Sequence, residues 1–235
     1  MLNSIILLLV VYLGVAIVYF FGNKIGKGYK LLLTFSGAFL MGMIFLHLAP
    51  EVFIGGDVSM GWWVIVGFLL QLFLEHLSQG AEHGHVHNHS GQSSFPLMIF
   101  ISLCLHALIE AMPLGSHADH HHHNLMMGLA VHKLPVAIVL ATMLMNSGKS
   151  KWSVFIYLSI FALMAPVGIG LFHLIESTFM NEATWLFQAV NALLIGILLH
   201  ISTTILFESE EGHRISWVKL ITVLVGIGLS AFQIH

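Results

Sequence analysis

The sequence predicts an all-α fold: a polytopic membrane protein built as a bundle of eight transmembrane helices. Composition is the first reason. Hydrophobic residues make up 57% of the chain and charged ones only 8%, against about 25% charged in ordinary soluble domains. A soluble core of this size could not hide so much apolar surface, so lipid must be the solvent for much of it. Second, the apolar runs are continuous and about 20 residues long, without the period-2 alternation of a barrel strand. Third, the basic residues fall on alternate loops.

The first span covers about residues 2–21. It has neither a basic leader nor a small-residue cleavage site, and further spans follow, so it reads as a membrane helix and not a signal peptide. The second covers 31–50 and ends in His47 and Glu51; the third covers 60–78 and holds Glu75 and His76 near its end. The fourth, 96–115, is closed by Pro113 and Gly115, and the fifth, 125–145, carries Pro135 in its interior. The sixth, seventh and eighth cover 152–173, 184–206 and 215–234. Short connections make residues 1–235 one compact transmembrane domain.

With eight spans, Lys24, Lys27 and Lys30, then Lys149 and Lys151, then Arg214 and Lys219 all fall on one face. Positive residues accumulate on the cytoplasmic side. This predicts cytoplasmic odd-numbered loops and both termini extracellular or periplasmic. Lys133 is the one basic residue outside those regions. The net charge of −3 offers no basic footprint for nucleic acid. The single cysteine, Cys104, cannot form an intrachain disulfide, and CxxC zinc-finger spacing is absent. No nucleotide-binding motif is present, which argues against ATP-driven pumping by this chain alone.

An ionisable group inside a span is costly and calls for a reason. Span four holds His106 and Glu110. Positions i and i+4 of a helix share a face, with their Cβ atoms about 5–6 Å apart, so an imidazole nitrogen and a carboxylate oxygen there can reach one cation. Span five adds His132, Lys133 and Pro135. Proline removes a backbone donor and frees a carbonyl near residue 131. His106, Glu110 and His132 form a two-imidazole, one-carboxylate set suited to Zn²⁺, and less selectively to Fe²⁺, Mn²⁺, Co²⁺ or Cd²⁺. The plainer reading is that His106 and Glu110 simply hydrogen-bond each other. Lys133 needs a carboxylate partner, and Glu110 is the expected one; otherwise its ammonium occupies a neighbouring cation position.

A relay position is expected at the outer mouth, at His47 and Glu51. Glu75 and His76 near the inner end of span three, and the inner acidic cluster of Glu208, Glu210, Glu211 and His213, are further candidates for relay ligands but read chiefly as interfacial polar residues. His173 and His200 read as hydrogen-bonded core histidines. Two loops are rich in histidine: His83, His85, His87 and His89 on the inner side, and His117 with His120, His121, His122 and His123 on the outer. Such flexible imidazole clusters hold Zn²⁺ without fixed geometry and raise its local concentration.

Together these residues resemble the Zrt/Irt-like, or ZIP, family of metal transporters. The family's span-four motif, His-Asn/Ser-x-x-Asp/Glu-Gly, is matched by His106-Ala107-Leu108-Ile109-Glu110-Ala111. Its span-five motif, His-Glu/Lys-x-Pro, is matched by His132-Lys133-Leu134-Pro135. The end of span two, His47-Leu48-Ala49-Pro50-Glu51, is similar to the family's His-Leu-x-Pro-Glu. The resemblance implies eight spans and uptake of Zn²⁺ or Fe²⁺ into the cytoplasm. It also implies an elevator-like motion of spans one, four, five and six past spans two, three, seven and eight. Ala107 and Lys133 stand where many members have ligands for a second ion, which implies a single-ion site here, with the Lys133 ammonium in place of the second cation. Val136 replaces a carboxylate that some members offer, and Ala111 replaces the final glycine of the span-four motif.

The expected partners are thus a divalent metal ion and the lipid bilayer, with no nucleic acid and a homodimer as the assembly. No cofactor and no enzymatic activity are expected; Zn²⁺ is the transported substrate. The competing classes are an intramembrane zinc hydrolase, weakened by the lack of an HExxH motif, and a metal-sensing receptor without flux. Compact loops point to a bacterial inner membrane.

Overall fold

A computed structural model describes residues 2–22, 26–54, 58–78, 80, 97–116, 122–179, 183–208 and 216–232. Every regular element among them is helical. The helices are α1 (Leu2–Phe21), α2 (Gly26–Met43), α3 (Ala49–Phe53), α4 (Met60–Ser78), α5 (Leu97–Ala111), α6 (His122–Asn146), α7 (Lys151–Thr178), α8 (Ala183–Glu208) and α9 (Trp217–Ala231). A π-helical turn, Ile44–Leu48, joins α2 to α3, and a 3₁₀ turn, Met112–Gly115, closes α5.

Seven helices among the described residues are long and apolar enough to cross a membrane, the second being the continuous run of α2, the π turn and α3. The last, α9, is equally apolar but shorter at 15 residues. α7 runs further than its apolar stretch predicts, to Thr178. Ser177 and Thr178 bond back to the Leu174 carbonyl and carry the helix on. Ser150 and Ser216 cap the starts of α7 and α9 by accepting from the backbone N–H groups of Ser153 and Lys219, the usual remedy for orphan donors at a helix start.

The most extensive helix contacts are α4 with α8, α2 with α9, α1 with α6 and α5 with α7. The helices fall into two sets, one of α1, α5, α6 and α7 and one of α2, α4, α8 and α9. Lipid supplies no hydrophobic force between helices, so small residues that let backbones approach closely hold such bundles together. A Cβ on Gly196 would run into the Val64 carbonyl, and one on Gly67 into the Leu193 carbonyl, which locks α4 against α8. Gly168 against the Leu108 carbonyl, and Gly115 against that of Ile169, do the same for α5 and α7. The buried residues of one apolar cluster, Val11, Leu103, Leu140 and Phe161 among them, all come from the first set, and Tyr29 and Leu32 of α2 pack against it. The sets meet where α2 faces α6 and where α4 faces α5.

Candidate metal centre

That seam brings together the polar residues of α5 and α6. His106 and Glu110 stand one turn apart on α5, and His132 and Lys133 face them from α6. All four are closed off, with exposures of 1%, 1%, 0% and 1%. One ligand atom from each of His106, Glu110 and His132 lies within 4.8 Å of the other two. His106 Nε2 is 3.2 Å from Glu110 Oε2. Two ligands of a tetrahedral zinc, each about 2.0–2.2 Å from the metal, would stand roughly 3.3 Å apart, so this pair already spans one edge of such a site. The rings of His106 and His132 meet edge to face at 5.8 Å.

Each charge here has a counterpart. Lys133 Nζ donates to Glu110 Oε1 at 2.6 Å and lies 5.4 Å from the centre of the Phe161 ring. The ion pair answers the need of both buried charges, since an unpaired one would cost far more. It also divides the carboxylate: Oε1 serves the ammonium, and Oε2 faces the imidazole.

The outer nitrogens of the two histidines are held from the other helix set. His106 Nδ1–H donates to Gln71 Oε1 on α4 at 3.2 Å. Ser36 on α2 sits 3.4 Å from His132 Nδ1. With its Nδ1 proton committed to Gln71, His106 presents Nε2 to Glu110 Oε2. Two lone pairs at that distance repel unless something positive lies between them, a proton or a metal ion.

The other polar positions do different things. His47 sits in the π turn, where Nε2–H donates to the Ser230 carbonyl at 2.9 Å and Nδ1 lies 3.3 Å from Asn124 Nδ2. Both ring nitrogens are engaged, so His47 ties α9 and α6 to the π turn. With Glu51, Asn124 and Asn191 it lines a pocket of about 230 Å³, at the end of the bundle away from Lys30 and Lys149. The buried Asn191 Oδ1 has no hydrogen-bond partner among the described residues. Glu75 pairs with His200 Nε2 across the α4–α8 contact, and the His200 ring meets Phe68 edge on. His200 is therefore a paired core histidine as expected; His173, expected in the core, instead lies on the exposed face of α7, and His76 is exposed too. His83, His85, His87, His89, His117, His120 and His121 lie outside the described residues, as do Glu210, Glu211 and His213 and the side chains of His122 and Glu208. His123 is exposed at the start of α6.

Reading ionisable groups alone misses Gln71 and Ser36, both fully buried. The available signal was polarity within a span, with Gln71 one turn before Glu75. Glu176, an ionisable residue near the end of α7, was passed over as well; it is buried and accepts from Ser116 Oγ at 2.5 Å.

The profile of the ZIP zinc transporter family matches residues 81–233, which include both helices of the site. The chain belongs to the ZIP family. As a ZIP protein it is a multi-pass membrane protein of a metal-transporter family, and not of an enzyme family. It is similar to zinc transporter ZIP1 of Danio rerio, at 27% identity over 158 residues, covering 66% of this chain and 52% of that one. It is also similar to zinc transporter ZIP1 of Takifugu rubripes, at 36% identity over 92 residues, covering 37% of this chain and 30% of that one. This ZIP chain thus spans at most about half the length of these relatives. Both are fish proteins, and the expectation of a bacterial inner membrane draws no support from them.

Proposed function

We propose that this chain carries Zn²⁺ into the cytoplasm, binding it between α5 and α6 through His106, Glu110 and His132. The convergence of three buried ligand atoms carries the reading. Two imidazoles and a carboxylate suit zinc, and three ligands leave coordination positions for water or for ligands met along the path. Fe²⁺, Mn²⁺, Co²⁺ and Cd²⁺ are accepted less selectively. The names of the fish relatives support zinc over these.

The site holds a single ion. Lys133 occupies the neighbouring position with its ammonium, bonded to Glu110, so a second cation would meet like charge. The chain crosses the bilayer eight times, α9 being the eighth crossing, with the loops of Lys30 and Lys149 in the cytoplasm. The distribution of Lys and Arg supports this orientation. The ion comes in by the pocket at Glu51 and Asn191. All three ligands belong to one helix set, so the ion can travel with that set past the other. The division of contacts into two sets supports such a movement.

The test is uptake by purified protein in liposomes, measured for a panel of divalent metals. Zinc should accumulate fastest in the intact protein and not at all with His106→Ala or His132→Ala, each of which should still purify as folded protein. Normal zinc flux in both variants would sink the site; binding without any flux in the intact protein would favour a sensor.

A further inference from the structure

The two histidines of the centre share a feature that their own helices do not explain. Each has its outer ring nitrogen against a residue of the opposite helix set: Gln71 of α4 for His106, and Ser36 of α2 for His132. Gln71 is fully buried in a span, where a side-chain amide needs a polar partner or costs free energy. An apolar residue would be cheaper to place there, and the neighbouring Leu72 and Phe73 are lipid-exposed. The amide oxygen accepts and cannot donate. Its bond therefore fixes the proton of His106 on Nδ1 and turns Nε2, with its lone pair, toward Glu110 Oε2. A hydrogen bond of this kind to a metal-binding histidine sets tautomer and ring direction, and losing it commonly costs 10–100-fold in metal affinity. The α4–α5 contact around it is firm: four residues earlier on α5, Ser102 Oγ donates to the Leu74 carbonyl of α4 at 2.6 Å.

We infer that Gln71 is a positioning residue for the transported metal: it holds His106 in the tautomer and orientation that bind the ion, and it does so from across the seam. Ser36 helps to orient the His132 ring through a longer contact, but its hydroxyl can donate or accept and so does not choose the tautomer. The inference rests on the proposed metal site and adds a property to it. The affinity of the site depends on the register of the two helix sets, because the groups that orient the ligands belong to the set that does not carry them. A shift of α5 against α4 withdraws the acceptor and loosens the ion.

The experiment is equilibrium Zn²⁺ binding to the purified full chain in lipid nanodiscs, for the intact protein, Gln71→Met, Gln71→Glu, Gln71→Asn and His106→Ala. Gln71→Met keeps the volume and removes the acceptor; its Kd should rise 10–100-fold. Gln71→Glu keeps an acceptor in place and should bind at least as tightly as the intact protein. Gln71→Asn draws the oxygen back by one methylene and should weaken binding, so it replaces Gln71→Met if that variant fails to fold. Imidazole ¹⁵N spectra of the metal-free protein should show His106 protonated on Nδ1, and Gln71→Met or Gln71→Asn should lose that signature. If His106→Ala binds zinc normally, the metal-site reading itself is wrong. If His106→Ala loses binding while Gln71→Met or Gln71→Asn matches the intact protein, the site stands and the positioning role falls. Failure of Gln71→Glu to bind would overturn the role as acceptor.

Discussion

Lys133 Nζ lies 2.6 Å from Glu110 Oε1, joining α6 to α5 through two side chains that are each 1% exposed. Removing one partner of such a pair strands the other charge in a low-dielectric interior, at a cost of about 3–5 kcal/mol. Lys133→Met should therefore destabilise the protein by about that amount, read as a lowered midpoint of thermal unfolding in detergent. Adding Glu110→Gln should recover much of the loss. A double variant no more stable than Lys133→Met would show that the pair is not coupled as its geometry demands.

The same lysine bears on stoichiometry. Lys133→Asp removes the ammonium and supplies a carboxylate next to Glu110. Metal analysis of the purified variant should find a second bound ion. A metal content equal to that of the intact protein rejects the idea that the ammonium stands in for a cation.

The outer histidine loop should affect capture more than turnover. Replacing His120, His121, His122 and His123 with Ser should raise the zinc concentration needed for half-maximal uptake and leave the maximal rate near its original value. Complete loss of transport would mean that the loop belongs to the pathway itself.

Close backbone contact makes a prediction for stability alone. Gly196→Leu places a branched side chain against the Val64 carbonyl and the Phe68 amide. Overpacking of this kind typically costs about 1–3 kcal/mol, so the variant should unfold at lower temperature. Gly61→Leu, where nothing lies within 4 Å, should not.

Orientation can be read with thiol reagents, because Cys104 is buried and supplies a quiet background. New cysteines at Lys30 and Lys149 should react only with reagent on the cytoplasmic side, and those at Ile54 and Phe179 only from outside. Any of the four reacting from the other side breaks the eight-crossing arrangement.

The all-helical membrane fold was legible because length and apolar continuity are counted directly along the chain. The grouping of His106 with Glu110 was legible for a similar reason: one helical turn separates them, and periodicity alone puts them on one face. His132 needed more, since only the packing of α6 against α5 brings it near, and the sequence motifs implied that packing without measuring it. Gln71 and Ser36 were not legible. They are uncharged and raise no alarm in a span, and their role arises from contacts between helices distant in the chain, His106 standing 35 positions after Gln71. The bonding of His47 was not legible either: the π turn aims its ring at the Ser230 carbonyl, a direction that an ordinary helical register does not reveal.

Helix α7 has 28 residues, about 42 Å of length at the usual rise, whereas the hydrocarbon layer is about 30 Å deep. Upright, it would push Leu174 and Phe179, both exposed apolar side chains, out toward water. Leaning relieves the mismatch. Gly168 and Gly115 leave no slack between α7 and α5, so the lean is passed on to the helix that carries His106 and Glu110. Membrane thickness thereby enters the tilt of the ligands proposed for the metal: a thicker bilayer would stand them more upright, and a thinner one would lay them further over.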